Sequence, residues 1–356
     1  MSAPGTPIRA LVVDDSAAMR AMLASLLTAD GEIEVVGSAP DPFAAREMIK
    51  TLDPDVLTLD VEMPGMDGLS FLEKIMRLRP MPVVMCSTLT ARGAEVTIEA
   101  LRLGAVDCIA KPSTQAQDLV AYGNSIRRTV KAAARASRSV RATPAPAAAM
   151  SGTPGAAGAF RDDALIAIGS STGGVEALFA LLPSLPADAP PVLIVQHMPA
   201  GFTAGFAARL DRACPARVVE AQDAMPVVPG TIYIAPGGTQ HMLLGSGPRG
   251  TVRLRSGPPV SGHSPSVDAL LHSVAQFAPG AVGAILTGMG EDGAAGLLAL
   301  RQAGAATFGQ SEASCVVYGM PRAAMALGAV GRELPLSGLA APILAACRTP
   351  SSSQKA

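Results

Sequence analysis

Short apolar runs alternate with segments of helical period along the first 131 residues. Ile8 to Val13, Ile33 to Gly37, Val56 to Leu59, Pro82 to Ser87 and Asp107 to Ala110 have the length and β-type composition of buried strands. Between the first of them, Ala17 to Thr28 and Pro42 to Thr51 repeat apolar positions at helical spacing, and helical sequence also separates the later runs. Such alternation predicts parallel strands with helices covering both faces of the sheet. The pattern lapses between about Ala132 and Ala159. There, Ala142-Thr143-Pro144-Ala145-Pro146 and Ser151-Gly152-Thr153-Pro154-Gly155 offer little bulky surface to bury, and the prolines interrupt a helix, so residues 132–160 read as an exposed linker. Alternation then resumes with strands at Ala164 to Ile168, Val192 to Val195 and Ala284 to Thr287, and helices at Ser266 to Phe277 and Gly293 to Ala303. Close-set β runs from Thr231 to Arg255 predict an antiparallel hairpin. The expected organisation is one domain over 1–131, the linker, a second domain over 161–348 and a disordered tail at 349–356. Both domains are α/β.

The 356 residues exceed what one core usually organises, which agrees with two domains. A hydrophobic fraction of 49% with 16% charged residues describes a globular chain. A net charge of −1, few aromatics and no Trp leave neither the basic face nor the stacking platform that nucleic acid requires. The five cysteines, Cys86, Cys108, Cys214, Cys315 and Cys347, are scattered without C-x-x-C spacing, as expected of reduced thiols rather than a zinc cage. Asp14 and Asp15 arrive before a signal-peptide core could be completed, and no apolar run approaches a membrane span, so the chain is expected to be cytoplasmic and not inserted in a membrane.

Candidate chemistry in the first half stands at strand ends. Asp14 and Asp15 follow one strand, Asp60 a second, Ser87 ends a third and Lys111 follows a fourth. Converging carboxylates repel, and a hard divalent cation such as Mg²⁺ relieves the repulsion. A carboxylate, a metal, an ammonium and a hydroxyl at one edge make a phosphoryl site. The competing reading of Asp15-Ser16 is a helix cap, and of Lys111-Pro112 a simple turn. Val12-Val13-Asp14-Asp15, Asp60-Val61-Glu62-Met63-Pro64-Gly65-Met66-Asp67-Gly68, Ser87 and Lys111-Pro112 together resemble the receiver domain of two-component response regulators over residues 8 to 131. The resemblance implies a flavodoxin-like doubly wound sheet. It also implies that Asp60 accepts phosphate from a chemotaxis histidine kinase, and that Ser87 and Lys111 act as the switch. Asp15, Asp60 and the main-chain carbonyl of Glu62 would hold Mg²⁺, with Asp14 completing the acidic pocket. Cys108 stands where many receivers carry an aromatic residue, which puts aromatic coupling to Ser87 in doubt.

In the second half, Ser171 lies in Gly169-Ser170-Ser171-Thr172-Gly173-Gly174, directly after an apolar run. A serine hydroxyl becomes a nucleophile when a base takes its proton, and a glycine-flanked strand-to-helix turn exposes it for that purpose. The alternatives are a helix N-cap or a phosphate cradle, and the latter lacks the Gly-Lys-Ser/Thr of a P-loop. Among four histidines, His272 sits in a helical pattern, while His241 and His263 are placed to line a groove. His197 directly follows an apolar strand and is the preferred base. Asp292, between Gly290 and Gly293, is preferred to Glu291 as the acid that orients it. The carboxyl ends of parallel strands share one edge, so Ser171, His197 and Asp292 are expected to meet there.

Ile168-Gly169-Ser170-Ser171-Thr172-Gly173-Gly174, Gln196-His197-Met198-Pro199, Tyr233-Ile234-Ala235-Pro236-Gly237, Pro265-Ser266-Val267-Asp268, Leu286 to Gly293 and Glu312 to Pro321 resemble the chemotaxis receptor protein-glutamate methylesterases. The similarity covers most of residues 163 to 347 and implies a Rossmann-like α/β catalytic domain. It implies hydrolysis of glutamate γ-methyl esters on methyl-accepting receptors, deamidation of receptor glutamines, no cofactor for ester hydrolysis, and supporting positions at Thr172 and Met289, whose N–H is a candidate oxyanion donor. It further implies that the receiver obstructs the Ser171 edge until Asp60 is phosphorylated. A non-enzymatic phosphorylation-dependent adaptor and a transcriptional regulator are the rival functions. The second rival lacks a basic recognition helix.

Overall fold

A computed structural model of the chain describes residues 6–63, 67–88, 90–111, 119–140, 159–246, 250–278 and 280–349. The chain divides into two units, Met1–Ala142 and Thr143–Ala356. In the first, β1 (Ile8–Val13), α1 (Ala17–Thr28), β2 (Ile33–Ala39), α2 (Pro42–Leu52), β3 (Val56–Asp60), α3 (Gly68–Leu78), β4 (Val83–Ser87), α4 (Ala91–Arg102), β5 (Asp107–Ala110) and α5 (Leu119–Val140) alternate in chain order. The five strands form one parallel sheet in the order β2-β1-β3-β4-β5, the flavodoxin-like order. Every residue of β3 and β4 is buried, which explains their unbroken apolar runs. Helix starts follow local chemistry. The Ser16 hydroxyl accepts from the Met19 N–H, while Asp41 caps α2 with Pro42 in its first turn.

The sequence places the start of a linker at residue 132, whereas α5 continues to Val140. Alanine is the strongest helix former, and Ala132 and Ala133 are buried, so the same composition that lacks bulk suits a close-packed helix. Residues 141–158 of the expected linker and 350–356 of the expected tail lie outside the described residues. Ala159, Phe160 and Thr349 do not behave as free chain. Phe160 forms a β-bridge with Arg348, whose guanidinium lies 4.4 Å over its ring, and the Thr349 N–H donates to the Ala159 carbonyl.

The second unit contains β6 (Ile166–Ser170), α6 (Gly174–Leu181), β7 (Val192–Gln196), α7 (Thr203–Ala213), β8 (Arg217–Glu220), β9 (Thr231–Ile234), β10 (Gln240–Leu244), β11 (Val252–Ser256), α8 (Val267–Phe277), β12 (Val282–Ile285), α9 (Ala294–Gln302), β13 (Ala306–Gln310), α10 (Met320–Ala326), β14 (Arg332–Leu334) and α11 (Ala340–Ala346). Seven strands form a parallel sheet in the order β14-β13-β12-β6-β7-β9-β8. The expected hairpin is present but smaller than the Thr231 to Arg255 run suggested. Among the strands of the described residues, β10 and β11 alone pair antiparallel, and β9 is a buried strand of the parallel sheet. Pro236-Gly237-Gly238 lets the chain leave the sheet after β9, with Gly238 at φ +138°. The arrangement puts β6, β7 and β12 side by side at the centre, so their carboxyl ends open on one rim. The core behind that rim includes Leu165, Leu193, Val195, Val267, Leu271, Ile285 and Leu297, all at most 1% exposed.

Candidate active site

The acidic residues of the first unit converge. Carboxylate oxygens of Asp14, Asp15 and Asp60 lie within 4.8 Å of one another, and the Lys111 ammonium sits 2.7 Å from Asp14 and 2.8 Å from Asp60. Ser16, not either aspartate, caps α1, so the capping alternative is discharged by the neighbouring residue. Burial pushes the Asp60 carboxyl above its ordinary range despite the pull of Lys111, and Asp14 adds to the push. Burial works against the charge on Lys111, but its bonds to Asp14 and Asp60 hold the ammonium above its usual range. The donor set is hard oxygen under mutual repulsion, which fits a divalent cation such as Mg²⁺. Ser87 is fully buried at the end of β4, one strand away from Asp60. Glu62 is exposed, and its N–H donates to the Asp60 carboxylate at 3.2 Å. Gly68 is required here, because a Cβ would lie 2.1 Å from the Asp60 carbonyl oxygen. Cys108 is buried in β5, with desolvation holding its thiol well above its usual range.

In the second unit, β6 delivers Ser171 to the rim. The N-cap of α6 is Gly173, at φ +76°, and no side chain caps that helix, which removes the capping alternative for Ser171. The Ser171 N–H donates to the Thr287 carbonyl, tying the turn after β6 to the one after β12. A Cβ on Gly288 would stand 2.8 Å from the Ser171 Cβ, so glycine there leaves room for the serine. Strand β7 brings His197 alongside, its N–H donating to the Ser170 carbonyl at 3.0 Å.

His197 and Asp292 meet directly, with Nε2 2.8 Å from Oδ2. Asp292 is only 1% exposed and accepts three further bonds, from the Ser266 hydroxyl, the Val267 N–H and the Asp268 N–H. These donors belong to the first turn of α8, so a carboxylate from one element completes the helix start of another. Burial penalises its charge, but the His197 contact and the Asp268 and Val267 N–H groups outweigh that and hold the carboxyl below its ordinary range. An ionised Asp292 accepts from Nε2–H, which fixes the tautomer and leaves the Nδ1 lone pair for base duty. His197 Nδ1 is buried and makes no hydrogen bond, so the Ser171 hydroxyl is not bonded to it in this state.

The other candidates are distributed around this pair. Glu291 is exposed, and Asp292 does not cap α9, whose N-cap is Gly293. Thr172 is buried, and its carbonyl accepts from the Thr287 hydroxyl, while Met289 is partly exposed on the loop after β12. His263 stacks on His197, ring centroids 3.8 Å apart and planes within 6°. His241 is a buried prop, with Nε2 against the Pro258 carbonyl and Nδ1 accepting from the Ser266 N–H. Sequence reading did not single out Gln196, Ser266, Thr287 or Gln310, which are buried and hydrogen-bonded around the site. The available signal was a polar residue closing an otherwise apolar strand, as at Gln196 and Gln310.

A family profile described as CheB methylesterase matches residues 166–343, and one described as response regulator receiver domain matches residues 10–122. A protein-glutamate methylesterase/protein-glutamine glutaminase 1 of Caulobacter vibrioides is 56% identical over 341 residues, covering 95% of this chain and 97% of its own. The chain belongs to the CheB methylesterase family. Another member, protein-glutamate methylesterase/protein-glutamine glutaminase of Bordetella parapertussis, is 53% identical over 95% of this chain and 96% of its own. The crystal structure of the Thermotoga maritima CheB methylesterase catalytic domain is 35% identical, covers 51% of this chain and 97% of its own, and superposes with a TM-score of 0.49. Among the described residues, no helix is long and apolar enough to cross a membrane.

Proposed function

We propose that this chain is a phosphorylation-activated serine hydrolase that removes methyl esters from glutamate side chains of chemotaxis receptors and deamidates receptor glutamines. The observation that carries the reading is the His197–Asp292 pair, with Nδ1 unpartnered on the rim that also bears Ser171. The Ser171 Oγ attacks the side-chain carbonyl while its proton passes to His197 Nδ1. Asp292 stabilises the imidazolium, and the backbone N–H of Met289 is the proposed donor to the developing oxyanion. Collapse of the tetrahedral intermediate expels methanol, or ammonia from an amide, carrying the proton from His197. Water activated by the same imidazole then releases glutamate and restores the Ser171 hydroxyl. Thr172 supports the turn beside the nucleophile.

Regulation resides in the first unit. Asp60 accepts phosphate from a histidine kinase, with Asp14, Asp15, Asp60 and the Glu62 carbonyl as the proposed Mg²⁺ ligands and Ser87 and Lys111 sensing the product. When bound, the metal neutralises charge on the phosphate oxygens. The test is methanol release from methylated receptor by wild type and Ser171→Ala, with and without a small phosphodonor. Wild type is expected to turn over faster with phosphodonor, and Ser171→Ala to release none. Release by Ser171→Ala at the wild-type rate refutes Ser171 as the nucleophile, and a chain that acts only as an adaptor releases none in either form, which refutes the hydrolase reading.

A further inference from the structure

We propose that Gln196 is a positioning residue whose carboxamide clamps the nucleophile turn to the base turn. The inference rests on the hydrolase reading above and adds a residue to it. Gln196 ends β7 and stands opposite Ser170, the last residue of β6, in the parallel register. Its side chain is 3% exposed. The amide Nε2 donates one hydrogen to the Ser171 carbonyl and the other to the His197 carbonyl, both at 2.9 Å. The remaining oxygen, Oε1, accepts from the Ser170 hydroxyl at 2.6 Å.

A primary amide carries two donor hydrogens and one carbonyl oxygen, and all three are engaged. One –NH₂ therefore sets the separation between the main chains of the two residues that must exchange a proton. No side-chain bond joins Ser171 to His197 Nδ1 in this state, so this bridge, with the His197 N–H bond to the Ser170 carbonyl, holds the two main chains while Asp292 and His263 hold the ring. The surrounding chain makes space for the group. A Cβ on Gly174 would fall 2.1 Å from Oε1, so glycine at 174 admits the amide against the start of α6. An apolar side chain of the same length would close the sheet edge equally well but would take the bridging donor from both carbonyls, leaving Ser171 only the Gly174 N–H.

The prediction concerns reactivity as well as folding. In Gln196→Glu the carboxylate turns an acceptor toward two carbonyl oxygens, pushing the turns apart. A displacement near 1 Å at a reacting pair costs roughly 100-fold in rate. The full-length protein is treated with a p-nitrophenyl phosphonate, which bonds to Ser171 Oγ, expels p-nitrophenolate and passes the serine proton to His197. Labelling is read well below each variant's unfolding midpoint, so that a loss of folded protein does not enter the rate.

The expected result is labelling of folded Gln196→Glu slowed about 100-fold, with Ser170→Ala, which removes only the hydroxyl that orients the amide, slowed about tenfold. With methylated receptor as substrate, kcat should fall and KM should stay. Folded Gln196→Glu labelling at the wild-type rate overturns the clamp. If that variant does not fold, Ser170→Ala decides, supporting the clamp when slowed and overturning it when unchanged. If wild type supplied with a small phosphodonor is itself unreactive, the hydrolase reading fails. A crystal structure of the variant then judges the clamp alone, which is overturned if the Ser171 and His197 carbonyls are unmoved.

Discussion

Replacing Asp292 by asparagine tests the triad most sharply, because the structure says what each atom of the new amide would face. In the native site, Oδ1 accepts from the Ser266 hydroxyl and the Asp268 N–H, and Oδ2 accepts from the Val267 N–H and His197 Nε2. An asparagine oxygen can serve only one of these pairs. If it stays with Ser266 and Asp268, the new –NH₂ confronts the Val267 N–H and forces His197 to accept at Nε2, moving the ring proton to Nδ1. The nitrogen required as base is then already protonated. The lost charge gives an independent magnitude. At 2.8 Å and an effective dielectric near 20, a carboxylate stabilises an imidazolium by about 6 kcal/mol, or roughly 10⁴ in rate. Both side chains are buried, so solvent screening takes little from that figure. Methanol release from methylated receptor by Asp292→Asn should therefore fall about 10³- to 10⁴-fold with KM little changed. Hydrolysis at even one-tenth of the parental rate would refute Asp292 as the orienting acid and leave it a helix-start partner of α8.

The same carboxyl lies below its ordinary range in the fold, so its ionisation contributes stability above the unfolded value, near 4, and that contribution is lost as pH falls through the folded value. The difference in unfolding midpoint between wild type and Asp292→Asn should thus be full at neutral pH and shrink below about pH 4, as read by circular dichroism. Asp60 has the opposite sign. Its raised carboxyl is ionised at a cost to the fold, so Asp60→Asn in EDTA should raise the unfolding midpoint while abolishing Mg²⁺-dependent phosphate incorporation from a small phosphodonor. Thr287→Val keeps the shape but removes the hydroxyl that donates to the Thr172 carbonyl and accepts from the Val317 N–H, both at 3.0 Å. Urea unfolding should show a loss of about 1–3 kcal/mol.

Strand ends were the legible part of this molecule. Ser171, His197, Asp292, Asp14, Asp15, Asp60, Ser87 and Lys111 all follow or close apolar runs, and parallel topology gathers such positions on one rim of each sheet. Local composition misled where one residue type serves two structures. Alanines after 131 read as linker because they lack bulk, yet they continue α5 because they cost least in a helix. The run from Thr231 read as half of a hairpin because consecutive β segments usually pair with each other. Instead, β9 joins the parallel sheet beside β7 and β8, a choice set by contacts distant in sequence. The ring orientation of His197 was illegible for a similar reason. It depends on the first turn of α8, some seventy residues downstream, which holds Asp292 in place from the other side.

The pattern of satisfied and unsatisfied polar atoms explains why this rim can combine stability with reactivity. Parallel strands end with backbone groups that the sheet no longer pairs, and leaving one buried costs about 1–3 kcal/mol. Gln196, Thr287 and Gln310 satisfy those groups around the site, and Ser266 donates to the Asp292 carboxylate, so these residues also fix the turns bearing Ser171, His197 and Asp292. Within the described residues of the second unit, only two buried side-chain polar atoms make no hydrogen bond: Ser264 Oγ and His197 Nδ1. An unpaired nitrogen in so fully bonded a surrounding is a cost to the fold, and here it falls on the atom that must stay open to receive a proton. A side chain that satisfied Nδ1 would stabilise the protein and, on this reasoning, block the base.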